Sequence, residues 1–155
     1  MTENGYKNRG IYFEDYSPGQ KIITTSRTIT ETDIVNFAGI SGDYTQIHTD
    51  LEYSKETPFG QRVAHGLLGM AICSGLAAQT GVMEGTVLAF REIKDWKFMK
   101  PIFINDTVHA ELTVKSKKEM ARIGGGAVEI DVYLKNQSQD TLMRGTWVVL
   151  IASNN

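Results

Sequence analysis

Apolar positions recur along this chain in two rhythms, and the change of rhythm divides it. In the first half, Ile34, Phe37, Ala38 and Ile40 fall at helical spacing behind the capping side chains of Thr30, Glu31, Thr32 and Asp33, which predicts a short helix ending at Gly42. A mixture of β-branched and polar residues over 21–28 predicts a short strand after the Pro18-Gly19 turn. Residues 50–55 leave room for one helical turn before Pro58 and Gly60 stop it. The longest apolar segment, 63–80, is rich in Leu, Ala, Gly and Met, lacks Pro and is bounded by Gly81. It predicts a buried central helix whose small residues let neighbouring backbone approach closely.

In the second half the period falls to two. Segments 87–98, 107–117, 127–135 and 142–152 alternate apolar with polar residues, as in Val128, Ile130, Val132 and Leu134, and predict antiparallel strands with turns at 124–126 and 136–140. Trp96, Phe98 and Trp147 fall among these strand positions and are expected to pack against the central helix. His109, also on a strand, is expected to be structural or exposed. One long helix followed by long strands implies an α+β fold with an antiparallel sheet wrapped around that helix. No repeat or linker divides the chain, so we expect one domain over 13–153 behind a flexible 1–12.

Composition narrows the partners. The 155 residues suit one domain with a real core. A net charge of -2 gives no general attraction to nucleic acid or to an anionic membrane surface. The single cysteine, Cys73, excludes an intrachain disulfide and lies in the apolar helix segment as a buried thiol. Residues 1–10 lack the apolar core of a secretory signal, and no apolar run approaches the ~20 residues of a membrane span, so a cytoplasmic protein is expected. The basic stretch 115–119 reads as a solvated strand end. The glycines at 124–126 lack the Lys-Ser/Thr of a phosphate-binding loop.

The candidate chemistry lies between the first helix and the central one. Asp43 and His48 stand five residues apart behind Gly42, where the chain can turn and aim a carboxylate and an imidazole into one cleft, as proton transfer requires. Thr45 between them offers one hydroxyl for hydrogen bonding. Asp50 is placed either to orient His48 or to cap the turn that starts at Leu51, and the cap is preferred. At the start of the central helix the Gly66 N–H has no partner within the helix, so it is a candidate donor to a developing oxyanion, with His65 beside it in a supporting role. His65, His48 and Asp43 lack the spacing of a metal motif, and no metal site is expected.

These residues also carry a resemblance. The ordered run Ser41-Gly42-Asp43, His48, Asp50, Phe59-Gly60 and Ala64-His65-Gly66 resembles the motif of the MaoC-like dehydratases, the (R)-specific enoyl-CoA hydratases of the hotdog superfamily. The likeness extends from about Phe13 to Ala152 and includes Lys100-Pro101 and Asp106-Thr107. Where the family usually has Asn-Pro, this chain has Thr45-Gln46 and loses a proline that fixes φ.

The resemblance implies a hotdog fold and the reversible hydration of trans-2-enoyl thioesters to (3R)-3-hydroxyacyl thioesters. Asp43 and His48 would catalyse, without a cofactor, on a substrate carried by coenzyme A or acyl carrier protein. It also implies an edge-to-edge homodimer, or an assembly of dimers. Leu67, Met70 and Ile72 are expected either to border the acyl chain or to pack in the core. The alternatives are a hotdog acyl-thioesterase and a non-catalytic module that binds acyl thioesters.

Overall fold

In the computed structural model, which describes residues 9–154, the two rhythms become two layers. The helical part holds α1 (Glu31–Ser41), α2 (Gln46–Thr49), α3 (Leu51–Lys55) and α4 (Gly66–Gln79). The sheet holds the short β1 (Lys21–Ile23) and β2 (Arg27–Thr28), then the long β3 (Val87–Phe98), β4 (Thr107–Met120), β5 (Gly125–Lys135) and β6 (Thr141–Ala152). Its order is β1-β4-β5-β6-β3, antiparallel throughout, with β2 also paired to β4.

The period of two sorts each central strand into faces. Val108, Ala110, Leu112 and Val114 on β4 and Val128, Ile130, Val132 and Leu134 on β5 are all buried, and they form one core with Leu68, Ile72, Cys73 and Leu76 of α4. Burying each such side chain stabilises the fold by roughly 1.5–3 kcal/mol, so this shared layer fixes α4 against the sheet. Gly69 shows how close the approach is. A Cβ there would stand 2.5 Å from both Ile102 Cδ1 and Met143 Cε, as the small residues of this segment predict. Burial also pushes the Cys73 thiol up to about 12, which leaves it unreactive.

Several expected boundaries move for identifiable reasons. The strand expected over 21–28 is split because the Thr24 hydroxyl accepts from the Ala110 N–H at 2.9 Å, in place of a ladder carbonyl. The central helix starts at Gly66 rather than at 63, since Val63 bridges Phe103 and the Ala64 N–H donates to the Ile102 carbonyl at 2.8 Å. Of the expected glycine turn only Gly124 is one, with φ of 64°. Gly125 and Gly126 belong to β5, where a Cβ would meet the Ile151 carbonyl oxygen at 2.0 Å and the Phe13 ring at 2.3 Å.

The expected flexible stretch 1–12 lies partly outside the described residues. Its later part is docked, with Gly10 N–H on the Glu84 carbonyl and Ile11 N–H on the Val82 carbonyl, both at 3.0 Å. Lys117 is likewise not simply solvated. Its ammonium donates to the Phe13 and Glu14 carbonyls and stands 5.0 Å from the centre of the Phe13 ring.

The edge strand β3 breaks the alternation, because register shifts interrupt its pairing with β6 in three places and nearly all of its residues are exposed. Trp147 is buried as expected, with Trp96 stacked against it at 6.2 Å and Phe90 edge-on at 5.3 Å between ring centres. Phe98 departs from the expected core role. It is 54% exposed, and its ring lies over Gly66, where a Cβ would meet it at 2.8 Å. Among the described residues no helix is long and apolar enough to cross a membrane.

Candidate active site

The site is assembled where α1 ends and α4 begins. A capping box starts α1: the Asp33 N–H donates to Thr30 Oγ1 and the Thr30 N–H donates to Asp33 Oδ2. Gly42 ends it in the left-handed conformation with φ of 75°, where a side chain would be strained, and the chain turns outward to Asp43. Thr45 folds back on that carboxylate, so that Asp43 Oδ1 accepts from the Thr45 hydroxyl at 2.5 Å and from the Thr45 N–H at 3.1 Å. These two bonds, the hydroxyl first, hold the Asp43 carboxyl below its ordinary value, with a smaller contribution from His48 and His65. Thr45 therefore orients the Asp43 carboxylate.

His48 lies on the single turn of α2 rather than in an open loop, and it is buried. Ser54, wholly buried, donates to the carbonyls of Asp50 and Ile47 and so ties α3 to α2. Asp50 takes the capping role, accepting the Tyr53 N–H at 2.9 Å. The His48 Nδ1 is 2.7 Å from the Val63 carbonyl oxygen, which can only accept, so Nδ1 carries the hydrogen and Nε2 presents a lone pair. Burial lowers the His48 pKa below 6.5, although the Val63 carbonyl partly opposes this. The ring is consequently a neutral base at neutral pH.

His65, the residue before α4, brings the two halves together. Its Nε2 lies 2.9 Å from the Asp43 carbonyl oxygen, and its ring stacks on His48 at 3.8 Å with 28° between planes. One carboxylate oxygen of Asp43 and one nitrogen from each imidazole lie within 4.8 Å of one another, a donor grouping that their spacing in the chain does not suggest. Two of the four imidazole nitrogens are committed to backbone carbonyls.

Beside this cluster opens a cavity of about 570 Å³, lined by His48 and Gly66 together with apolar groups that include Phe59, Leu67, Phe98 and Met143. Gly66 is the first residue of α4, so its N–H has no acceptor within the helix. Of the expected acyl neighbours Leu67 borders the cavity, whereas Met70 and Ile72 do not, and Ile72 packs in the core instead. His65, Asp43 and Thr45 also stand outside its walls. Phe59, Phe98, Met99 and Met143 were not expected there; the one signal in the chain is that Phe98 and Met99 lie where the edge strand ends, just before Pro101.

A hotdog domain with a carboxylate and a buried imidazole beside an apolar cavity is the class that fold and site together define. Residues 14–135 match the MaoC like domain, and the chain belongs to that family. Protein MaoC of Klebsiella aerogenes is 40% identical over 106 residues, which are 68% of this chain and 31% of that protein, so this chain matches less than a third of it. The (R)-specific enoyl-CoA hydratase of Rhodospirillum rubrum is 36% identical over 103 residues, 66% of this chain and 69% of that one. A solved Archaeoglobus structure described as a monoamine oxidase regulatory protein superposes with a TM-score of 0.88 at 36% identity, covering 94% of this chain and 97% of its own. A Mycobacterium tuberculosis protein described as a double hotdog fold shares the fold, with a TM-score of 0.70 over 92% of this chain and 41% of its own.

Proposed function

We propose that this chain adds water reversibly to trans-2-enoyl thioesters of coenzyme A or acyl carrier protein, giving (3R)-3-hydroxyacyl thioesters. One observation carries the reading: a carboxylate oxygen of Asp43 and a ring nitrogen of His48 lie within 4.8 Å of each other, and the neutral His48 ring keeps Nε2 clear of its bond to Val63. Two acceptors that share one water molecule stand roughly 4.5 Å apart, given hydrogen bonds near 2.8 Å. A water held this way directs one O–H at each group. As its oxygen bonds to C3, the pair accepts a proton and then returns it to C2, so that H and OH are added without any other reactant. Negative charge gathers meanwhile on the thioester oxygen, and the Gly66 N–H is the donor placed to receive it.

The relative named as an (R)-specific enoyl-CoA hydratase supports this substrate class. Purified protein given a panel of enoyl-CoA thioesters should lose enoyl absorbance and form the (3R) product. Release of free thiol instead identifies a thioesterase, and binding without turnover identifies a carrier or sensor module.

The acid limb of the pH profile follows from His48. Its pKa is lowered, so the neutral, reactive ring persists below the ordinary value of 6.5 and is lost as pH falls through the lowered one. Asp43 is also lowered and stays ionised over that range. The kcat profile should therefore be flat at neutrality and fall about tenfold per unit only at pH below 6.5. A limb at or above 6.5 would exclude neutral His48 as the base.

We also propose a homodimer joined through β3. That strand leaves one edge of the sheet unpaired and exposes Val87, Leu88, Phe90 and Ile93, a combination that soluble proteins cover. Because Phe98 and Met99 border the cavity, a partner on this edge would stand beside the thioester. Light scattering should find a dimer whose activity drops on dilution as it dissociates. A monomer with full activity at assay concentration contradicts this.

A further inference from the structure

We propose that His65 is the positioning residue of the acid/base pair, its imidazole tying the Asp43 backbone to the head of α4 while its ring face sets the plane of His48. This deepens the hydration reading and, for its kinetic part, rests on it. Asp43 is exposed on a turn, and its other hydrogen bonds are local, to the Ser41 hydroxyl and to Thr45. The bond from His65 reaches across 22 residues, and among the described residues it is the one hydrogen bond that joins Asp43 to a distant part of the chain. The Thr49 hydroxyl holds the following carbonyls of Tyr44 and Thr45, but it does not reach Asp43 itself.

The surroundings of His65 support a directed role. The residue is 2% exposed and sits between two rings, Phe37 at 4.9 Å and His48 at 3.8 Å. Its Nδ1 is buried without a hydrogen-bond partner, a cost that Phe or Leu would avoid in the same apolar gap. Nε2 is therefore the atom that repays an imidazole here: the Asp43 carbonyl can only accept, so Nε2 donates. His48 is anchored through Nδ1 to Val63 at its far side, and the stack adds a second restraint that stops the ring turning about that bond. Together the two contacts fix the separation of carboxylate and base, on which a shared water depends.

The test compares three replacements. Phe keeps a flat ring without a donor. Gln carries an amide nitrogen to about the place of Nε2, and Asn carries one to the place of Nδ1. His65→Phe and His65→Asn should lower kcat about 10–100-fold with KM little changed, since His65 does not line the cavity and a small misplacement of reacting groups costs about this much. His65→Gln should recover at least about tenfold of that loss.

Backbone hydrogen exchange of the whole protein gives a readout independent of turnover. The Asp43 and Thr45 amides should exchange faster in the Phe and Asn variants, while those of Ile72 and Cys73 within α4 hold their rates and show that each variant is folded. If the wild-type protein hydrates no thioester, the hydration reading falls and the exchange rates alone decide the role of His65. Unchanged loop exchange in the Phe and Asn variants, or a Gln variant as impaired as both, overturns it.

Discussion

Asp43→Asn and His48→Ala are each expected to lower kcat by about 10²–10⁴-fold, the range over which a positioned proton-transfer group acts. Asparagine is the informative replacement at 43. Its amide oxygen can still accept from the Thr45 hydroxyl and N–H, so the turn persists while the basic oxygen is lost. At 48, alanine removes both the free Nε2 and the bond to Val63, so circular dichroism must accompany the kinetics. The double variant should lose far less than the product of the two single losses, because groups that act on one water fail together. Near-native turnover in either single variant rules out the paired mechanism.

The second large effect is expected at Gly66. A Cβ at this position would stand 2.8 Å from Phe98 Cε1 and 3.0 Å from Cδ1, so a valine must displace the Phe98 ring and reshape the cavity it borders. The N–H survives in Gly66→Val, but the thioester carbonyl of the proposed reaction should no longer reach it. The expected loss in kcat/KM is about 10²–10³-fold, that of a missing oxyanion donor, with a stability cost of about 1–3 kcal/mol from overpacking. Thr45→Asn is the control. An asparagine amide at 45 can still donate to the exposed Asp43 carboxylate, so this variant should stay active and as stable as the parent. Thermal melts and steady-state kinetics on both proteins check the contrast, and an inactive Thr45→Asn would mean that the turn depends on the hydroxyl itself.

Much of this architecture is legible in the chain because the relevant forces are local. The spacing of Thr30 and Asp33 and the glycine at 42 settle both ends of α1, and the alternation over β4 and β5 sorts core from surface one residue at a time. Asp43 and His48 are readable for the same reason, being five residues apart. The cavity wall is not. Phe59, Phe98 and Met143 meet only once α4 has packed on the sheet, and no periodicity links them. The bond from His65 to the Asp43 carbonyl is equally invisible, since its acceptor is a backbone atom that any residue would supply. β3 misleads in another way: its apolar residues imply burial, which a lone chain does not provide at the edge of the sheet.

The stacked tryptophans give this protein an optical property of practical use. Trp96 and Trp147 are its only two, and they lie side by side where β3 runs along β6. Tryptophan emission, selected by exciting beyond the tyrosine absorption, therefore comes from a single locus instead of averaging over the molecule. Phe90 touches that locus and Trp96 is half-buried on the uncovered edge, so whatever settles on β3 alters the surroundings of the pair. The chain carries its own spectroscopic reporter for that face and needs no label.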